Sequence, residues 1–190
     1  MKNRKGFTLI EVLSVIIIIG IVLLIAFPAV NSYIDKANRG SYVSSVQAYM
    51  ETIKSEYEMG DYGDLVEEGE LMIIPIENIK LEKGDEKSPY APYDFARSYV
   101  YVVPERNGYQ FYSNIMDEAG VGVIGKSLNE LSRDVVEEEL DPDIIFPWSS
   151  YKTGTNSFVY KNTEYSICEV RDIDTVEKVV SEAILVMCEV

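Results

Sequence analysis

The chain has 190 residues, of which 47% are hydrophobic, a net charge of −15 and no histidine. That length holds one globular domain, or one domain plus an appendage, and a field this negative repels nucleic acid and anionic lipid headgroups, so nucleic acid is excluded as a partner of the isolated chain. The apolar residues are unevenly placed: nineteen residues from Val12 to Val30 carry no charge and the sequence beyond is mixed and acidic, so the average combines a membrane segment with a soluble domain.

The chain opens on a basic stretch, Met1-Lys2-Asn3-Arg4-Lys5, followed by Gly6, then Phe7-Thr8-Leu9-Ile10, then Glu11 and the long apolar run. From Phe7 to Val30 there are 24 residues, and about 20 helical residues cross a bilayer core. Basic residues stay on the cytoplasmic side, which puts the N-terminus inside and the acidic domain outside. An ordinary secretory signal has an apolar core of about 7–15 residues and a small-residue cleavage site after it. Here the core is longer, and Ala26-Phe27-Pro28-Ala29 is a poor small-x-small site. A plain signal anchor explains length and orientation but leaves Glu11 over. A charge at the centre of a membrane helix costs about 2.5–3.5 kcal/mol, and less near the edge. Glu11 lies about 6 Å along the helix from Phe7, and no basic side chain follows it until Lys36.

The run Lys5-Gly6-Phe7-Thr8-Leu9-Ile10-Glu11 resembles the prepilin signature of type IV pilins and type II secretion pseudopilins. The resemblance implies cleavage between Gly6 and Phe7 and N-methylation of Phe7, both by a membrane prepilin peptidase. It implies that Glu11 pairs with the N-terminal amine of a neighbouring subunit. It also places Gly20 and Pro28 at the ends of a helix segment that can unwind in filaments. The physics fits these roles. Glycine lets the backbone lie close in a protease site. Cleavage creates an ammonium at Phe7, the partner that Glu11 lacks, and such a pair sets the axial offset between helices. Pro28 removes a backbone hydrogen bond and Gly20 has poor helix propensity, though both residues are also common in membrane helices. Losing the first six residues would leave 14 basic against 32 acidic residues, a net charge of −18.

After Val30 the pattern turns amphipathic. Val43, Val46, Met50, Ile53 and Tyr57 follow spacings of three and four, while Lys36, Arg39, Gln47, Glu51 and Lys54 fall largely elsewhere on the wheel. The spacing predicts one helix of roughly fifty residues, about 75 Å long, to about Glu58. Gly60, Asp61 and Gly63 stop it. Its apolar stripe packs on a domain or belongs to a separate stalk.

From Asp61 to Phe95 the sequence reads as a mixed connection with a short strand at Leu71-Met72-Ile73-Ile74. Ser98 to Val103 reads as a strand ended by Pro104, Asn107-Gly108 as a hairpin signal, and Tyr109 to Ile115 as the return strand. Gly120, Gly122 and Gly125 are spaced as G-x-G-x-x-G, but no βαβ unit surrounds them and Asp117 and Glu118 would repel a phosphate; a bend or loop against the sheet is expected. Ser127-Leu128-Asn129-Glu130 fits a capping box opening a short helix to about Glu139, with Leu128, Leu131 and Val135 on its apolar face. Asp141-Pro142-Asp143 breaks that helix, and Trp148 is a core anchor or an exposed contact. Phe158 to Tyr160 and Tyr165 to Val170 read as strands, Thr175 to Ile184 as a helix, and Leu185 to Val190 as a last strand, in a tail expected on the outward surface. Cys168 and Cys188 are either two free buried thiols or, outside the cytoplasm, a disulfide. Such a bond would tie the tail down, as a C-terminal disulfide loop does in many pilins.

No metal or catalytic site stands out. Histidine is absent and the cysteines lack close metal spacing. Asp141, Asp143, Asp172 and Asp174 are oxygen donors of the kind some pseudopilins use for calcium, but no EF-hand spacing exists, and no cofactor is expected. The expected fold is α+β, a long N-terminal helix packed on an antiparallel sheet. It divides into a leader at 1–6, a membrane or filament-core helix at 7–30, its amphipathic continuation at 31–59 and a globular head at 60–190. The expected function is a structural filament subunit, not an enzyme. Like subunits and minor pilins are its partners, with an assembly ATPase and a platform membrane protein acting indirectly. A pseudopilin of a secretion or DNA-uptake machine and a minor pilin acting as tip adhesin are the alternatives. The chain sits in the membrane before assembly and in an extracellular or periplasmic filament after it.

Overall fold

The structure is a computed structural model and describes residues 7–77, 79–81, 87–148, 157–172 and 183–190. It divides into two compact units, Met1–Asn38 and Arg39–Val190. One helix, α1 (Leu9–Met59), runs through both. In the first unit its apolar side chains are exposed, and an 18-residue window there is apolar enough to cross a membrane.

The C-terminal half of α1 is buried along Tyr42, Val46, Tyr49, Ile53 and Tyr57, a stripe at helical spacing, with Val43 and Met50 beside it. The helix ends in a Schellman motif. Gly60 takes φ +85°, its N–H donates to Tyr57 O, and the N–H of Asp61 donates to Glu56 O at 3.0 Å. Two otherwise orphaned carbonyls are thereby satisfied.

Seven strands follow: β1 (Glu70–Pro75), β2 (Tyr99–Glu105), β3 (Gly108–Met116), β4 (Gly122–Ser127), β5 (Ser157–Tyr160), β6 (Thr163–Asp172) and β7 (Ala183–Glu189). They form one sheet in the order β4-β3-β2-β1-β7-β6-β5, with every neighbouring pair antiparallel. Alternate residues divide between two cores. Met72, Ile74, Val100, Val102, Ile184 and Val186 meet the stripe of α1. Leu71, Ile73, Tyr99, Tyr101, Leu185 and Met187 face the other way, onto Ile145, Trp148 and Phe158. Cover on both faces explains why β1, β2 and β7 read as unbroken apolar runs. Each such side chain, fully buried, contributes about 1.5–3 kcal/mol.

The sheet curls. Strands β2 and β5 are four places apart, about 19 Å in a flat sheet at 4.8 Å per strand. Yet the rings of Tyr101 and Phe158 lie 5.4 Å apart and those of Tyr112 and Tyr160 5.7 Å apart. At the hairpin tips Lys161 Nζ is 3.7 Å from Glu105 Oε1. The β5–β6 turn uses Lys161 and Asn162 at φ +47° and +66°, the two left-handed residues of a tight hairpin.

Several expectations need correction. The last strand of the tail is not on the outside, because β7 is inserted between β1 and β6 and is buried from Ala183 to Met187. Its apolar residues on both faces need cover that only a central position gives. Of the helix expected at Thr175 to Ile184, residues 175–182 lie outside the described residues, and Ala183 and Ile184 open β7. The capping box at Ser127 and Glu130 forms, but it opens only the 3-10 turn Leu128–Glu130, followed by another at Arg133–Val135. The backbone is diverted to the edge of β4. Glu137 and Gly122 exchange two hydrogen bonds of 2.9 Å, and Leu140 N–H donates to Gly120 O.

The glycine run is likewise more than a bend, since Gly122 and Gly125 belong to β4. A Cβ at Gly122 would lie 2.7 Å from Ile115 O, and Gly125 is the extra residue of a bulge at φ +62°. Strand β2 continues through Pro104, which pairs with Tyr109 beyond the point, Met72 to Val102, where pairing with β1 ends. The missing N–H is tolerated there. The β2–β3 turn residues are Arg106 and Asn107, and Gly108 opens β3 at φ +129°.

Candidate assembly site

Thr8 is the N-cap of α1 and Glu11 is its third helical residue. The Thr8 N–H and the Thr8 hydroxyl both donate to Glu11 Oε2, each at 2.8 Å, and the Glu11 N–H donates to Thr8 Oγ1 at 3.3 Å. This is a capping box, in which two orphan donors of the helix start are satisfied reciprocally. The Glu11 carboxylate is therefore held by its own helix end, with no cation near it among the described residues. Its described bonds fall on Oε2 and leave Oε1 open. The helix macrodipole favours a negative charge in this first turn. Thr8-Leu9-Ile10-Glu11 carries the S/T-x-x-E signal for this contact, which makes Thr8 a further residue of the site.

Phe7, the first described residue, is 88% exposed, and Gly6 lies outside the described residues. Around Gly20 nothing stands within 4 Å of a built Cβ. Within one subunit, then, no steric demand requires glycine there. Pro28 sits inside α1, which continues without interruption past it. The Ser14 hydroxyl returns to Ile10 O at 2.7 Å, so this polar group is satisfied inside the apolar helix.

In the second unit α1 is fastened by polar contacts as well as by packing. The buried Tyr42 hydroxyl donates toward Ile115 O (3.2 Å) and Val121 O (3.0 Å), and burial pushes its pKa far up. The Tyr57 hydroxyl accepts from Val66 N–H, and burial raises its pKa to about 12. Arg39 donates to Val136 O at 2.9 Å and pairs with Glu138. The Glu130 carboxyl, bonded by the Ser127 hydroxyl and N–H, is held below the usual carboxylate range.

Cys168 and Cys188 are joined by a disulfide, with Cα atoms 5.7 Å apart, across β6 and β7. It ties the central C-terminal strand to its neighbour rather than a surface tail. Replacing both cysteines by serine is expected to cost about 3 kcal/mol in the chain-entropy model. Thermal unfolding should read this as a midpoint lowered by about 6–12 °C.

Of the four aspartates considered for calcium, only Asp141 and Asp143 have described side chains. Asp141 accepts from Asp143 N–H at 3.0 Å and caps the 3-10 turn Pro142–Ile144. The Asp172 side chain and Asp174 lie outside the description, and no group of three metal-binding side chains occurs among the described residues. Trp148 is a core residue, with its indole N–H donating to Phe95 O at 2.6 Å.

The model of the prokaryotic N-terminal methylation motif matches residues 1–27. No solved structure matches the chain.

Proposed function

We propose that this chain, whose N-terminus carries the type IV pilin signature, is a structural subunit of a type IV pilus-like extracellular filament. In this reading prepilin peptidase cuts between Gly6 and Phe7 and Phe7 is N-methylated. Segment 7–30 anchors the subunit in the membrane, N-terminus inside, and then enters the filament core. Residues 31–59 continue the helix and 60–190 form the head.

The observation that supports this best is the pairing of an exposed, uncharged apolar helix with a carboxylate at its start that keeps one oxygen open. An apolar helix exposed in the single subunit needs lipid before assembly and other helices after it. The new ammonium at Phe7 of one subunit meets Glu11 Oε1 of the next, so two charges leave lipid together. Repetition of that head-to-tail contact without closure gives a helical filament. The Thr8 cap keeps the carboxylate hydrogen-bonded until the exchange occurs.

Gly6→Leu is the direct test of processing. A leucine side chain crowds the backbone at the scissile bond, so the variant should accumulate at precursor mass on co-expression with a prepilin peptidase. Normal cleavage of Gly6→Leu would count against the assigned site.

A further inference from the structure

We propose that Tyr33 is a lipid-contacting anchor, which packs where hydrocarbon meets headgroups and fixes the depth of α1 so that the Glu11 carboxylate reaches the headgroups of the opposite side. This placement rests on the reading of segment 7–30 as the membrane segment, and not on processing or filament assembly. Every large apolar side chain from Phe7 to Ile34 is exposed, so packing inside the subunit does not set the depth. Tyr33 is the one tyrosine or tryptophan in residues 1–41, and it is 76% exposed.

Helix α1 is unbroken through Pro28, so one rise per residue measures the whole segment. The 19 residues from Val12 to Val30 carry no charge and span about 28 Å. A hydrocarbon core is about 30 Å thick, so the run matches it, and its middle residue, Ile21, falls at the bilayer centre. Glu11 and Tyr33 lie ten and twelve residues from Ile21, about 15 and 18 Å along the axis. The hydrocarbon ends about 15 Å from the centre, and the headgroup layer adds about 5–7 Å. Both residues therefore stand at the boundary, one on each side.

Side chains on a helix lean toward its N-terminus, and that direction acts differently at the two ends. It turns the Tyr33 ring back toward the hydrocarbon edge and leaves the hydroxyl among the headgroups, the placement that interfaces favour for tyrosine. It carries the Glu11 carboxylate outward. Oε2 accepts from the N–H and hydroxyl of Thr8, three residues nearer the N-terminus. Held at the level of Thr8, the carboxylate reaches headgroup water and avoids the cost of a charge in hydrocarbon. Glu11 draws the helix toward the N-terminal side, and the Tyr33 hydroxyl resists entry into the hydrocarbon. Without Tyr33 the helix slides about two residues that way, until Asp35 stands where Tyr33 stood.

The test uses the full chain in phosphatidylcholine vesicles, with one added cysteine carrying a nitroxide at each position in turn from Val15 to Phe27. Cys168 and Cys188 are bonded to each other and take no label. Depth is read from collisions of the nitroxide with oxygen against those with a water-soluble nickel complex. The deepest label in the parent is expected at Ile21. In Tyr33→Ala it should move to Leu23, and in Tyr33→Trp, which keeps an amphipathic ring, it should stay at Ile21. A parent profile deepest two or more residues from Ile21, an unmoved profile in Tyr33→Ala, or a displaced one in Tyr33→Trp would each overturn the proposal. A series with no deep position at all would overturn it differently, by removing the membrane segment on which it rests.

Discussion

Glu11→Ala is expected to leave the precursor cleaved and to remove it almost completely from sheared filaments. In the proposed pathway cleavage depends on the chain around Gly6 and Phe7, and α1 needs no carboxylate to form. Assembly in that proposal is different, because without Glu11 the ammonium of the neighbouring Phe7 is left unpaired in an apolar environment. Breaking a buried pair by removing one partner costs about 3–5 kcal/mol. A loss of that size at each subunit contact corresponds to a decrease of more than about a hundredfold in association. The cap must be separated from the pair, since Glu11 also bonds Thr8. Glu11→Gln keeps an oxygen to accept from the Thr8 N–H but carries no charge. If charge pairing drives assembly, Glu11→Gln fails as Glu11→Ala does. Full assembly of Glu11→Gln would mean that the cap alone matters and would sink the pairing argument.

The second large effect is expected in the head. Asp117 is fully buried at the end of β3, with Oδ1 accepting from Ala119 N–H and Val121 N–H at 3.0 Å each and Oδ2 from the Ser88 hydroxyl at 2.6 Å. One side chain thus holds the turn into β4 and the segment at Ser88 together. Asp117→Ala removes the acceptor and leaves the buried Val121 N–H unpaired, while the N–H of the exposed Ala119 can turn to water. An unpaired buried N–H costs about 1–3 kcal/mol, a sizeable fraction of a domain's stability. Chemical denaturation of the full chain in detergent should show the loss, and Asp117→Asn, which keeps one carbonyl acceptor, should fall between the two. A midpoint for Asp117→Ala unchanged from the parent would contradict the assigned role.

Much of this fold was legible because its signals are local. The helix stripe from Val43 to Tyr57, the turn chemistry at Gly60 and the β-branched and aromatic run at Tyr99 to Val103 all depend on neighbours in sequence. The misreadings arose where distant partners decide. A capping box at Ser127 normally starts a helix, but the β4 edge captured the backbone at Glu137 and Leu140 instead. Glycines 122 and 125 looked like loop residues because their roles, close contact with Ile115 and a bulge, appear only when β3 lies beside them. The placement of β7 in the middle of the sheet has no local signal beyond its apolar run on both faces. At the candidate assembly site Gly6, Phe7 and Glu11 stand out in the sequence by order and charge. Thr8 is harder to read, because the partners that a carboxylate in an apolar helix calls for are cations, whereas Glu11 bonds the N–H and hydroxyl of a neutral residue.

The central claim is that the chain matures through the prepilin pathway, and intact-mass together with N-terminal peptide mass spectrometry on protein from its native membrane tests it most directly. A mature chain that begins with methylated Phe7 is the predicted result. A chain that still begins at Met1, or one cut near Ala29, would identify an ordinary anchor or a secreted domain and contradict the account.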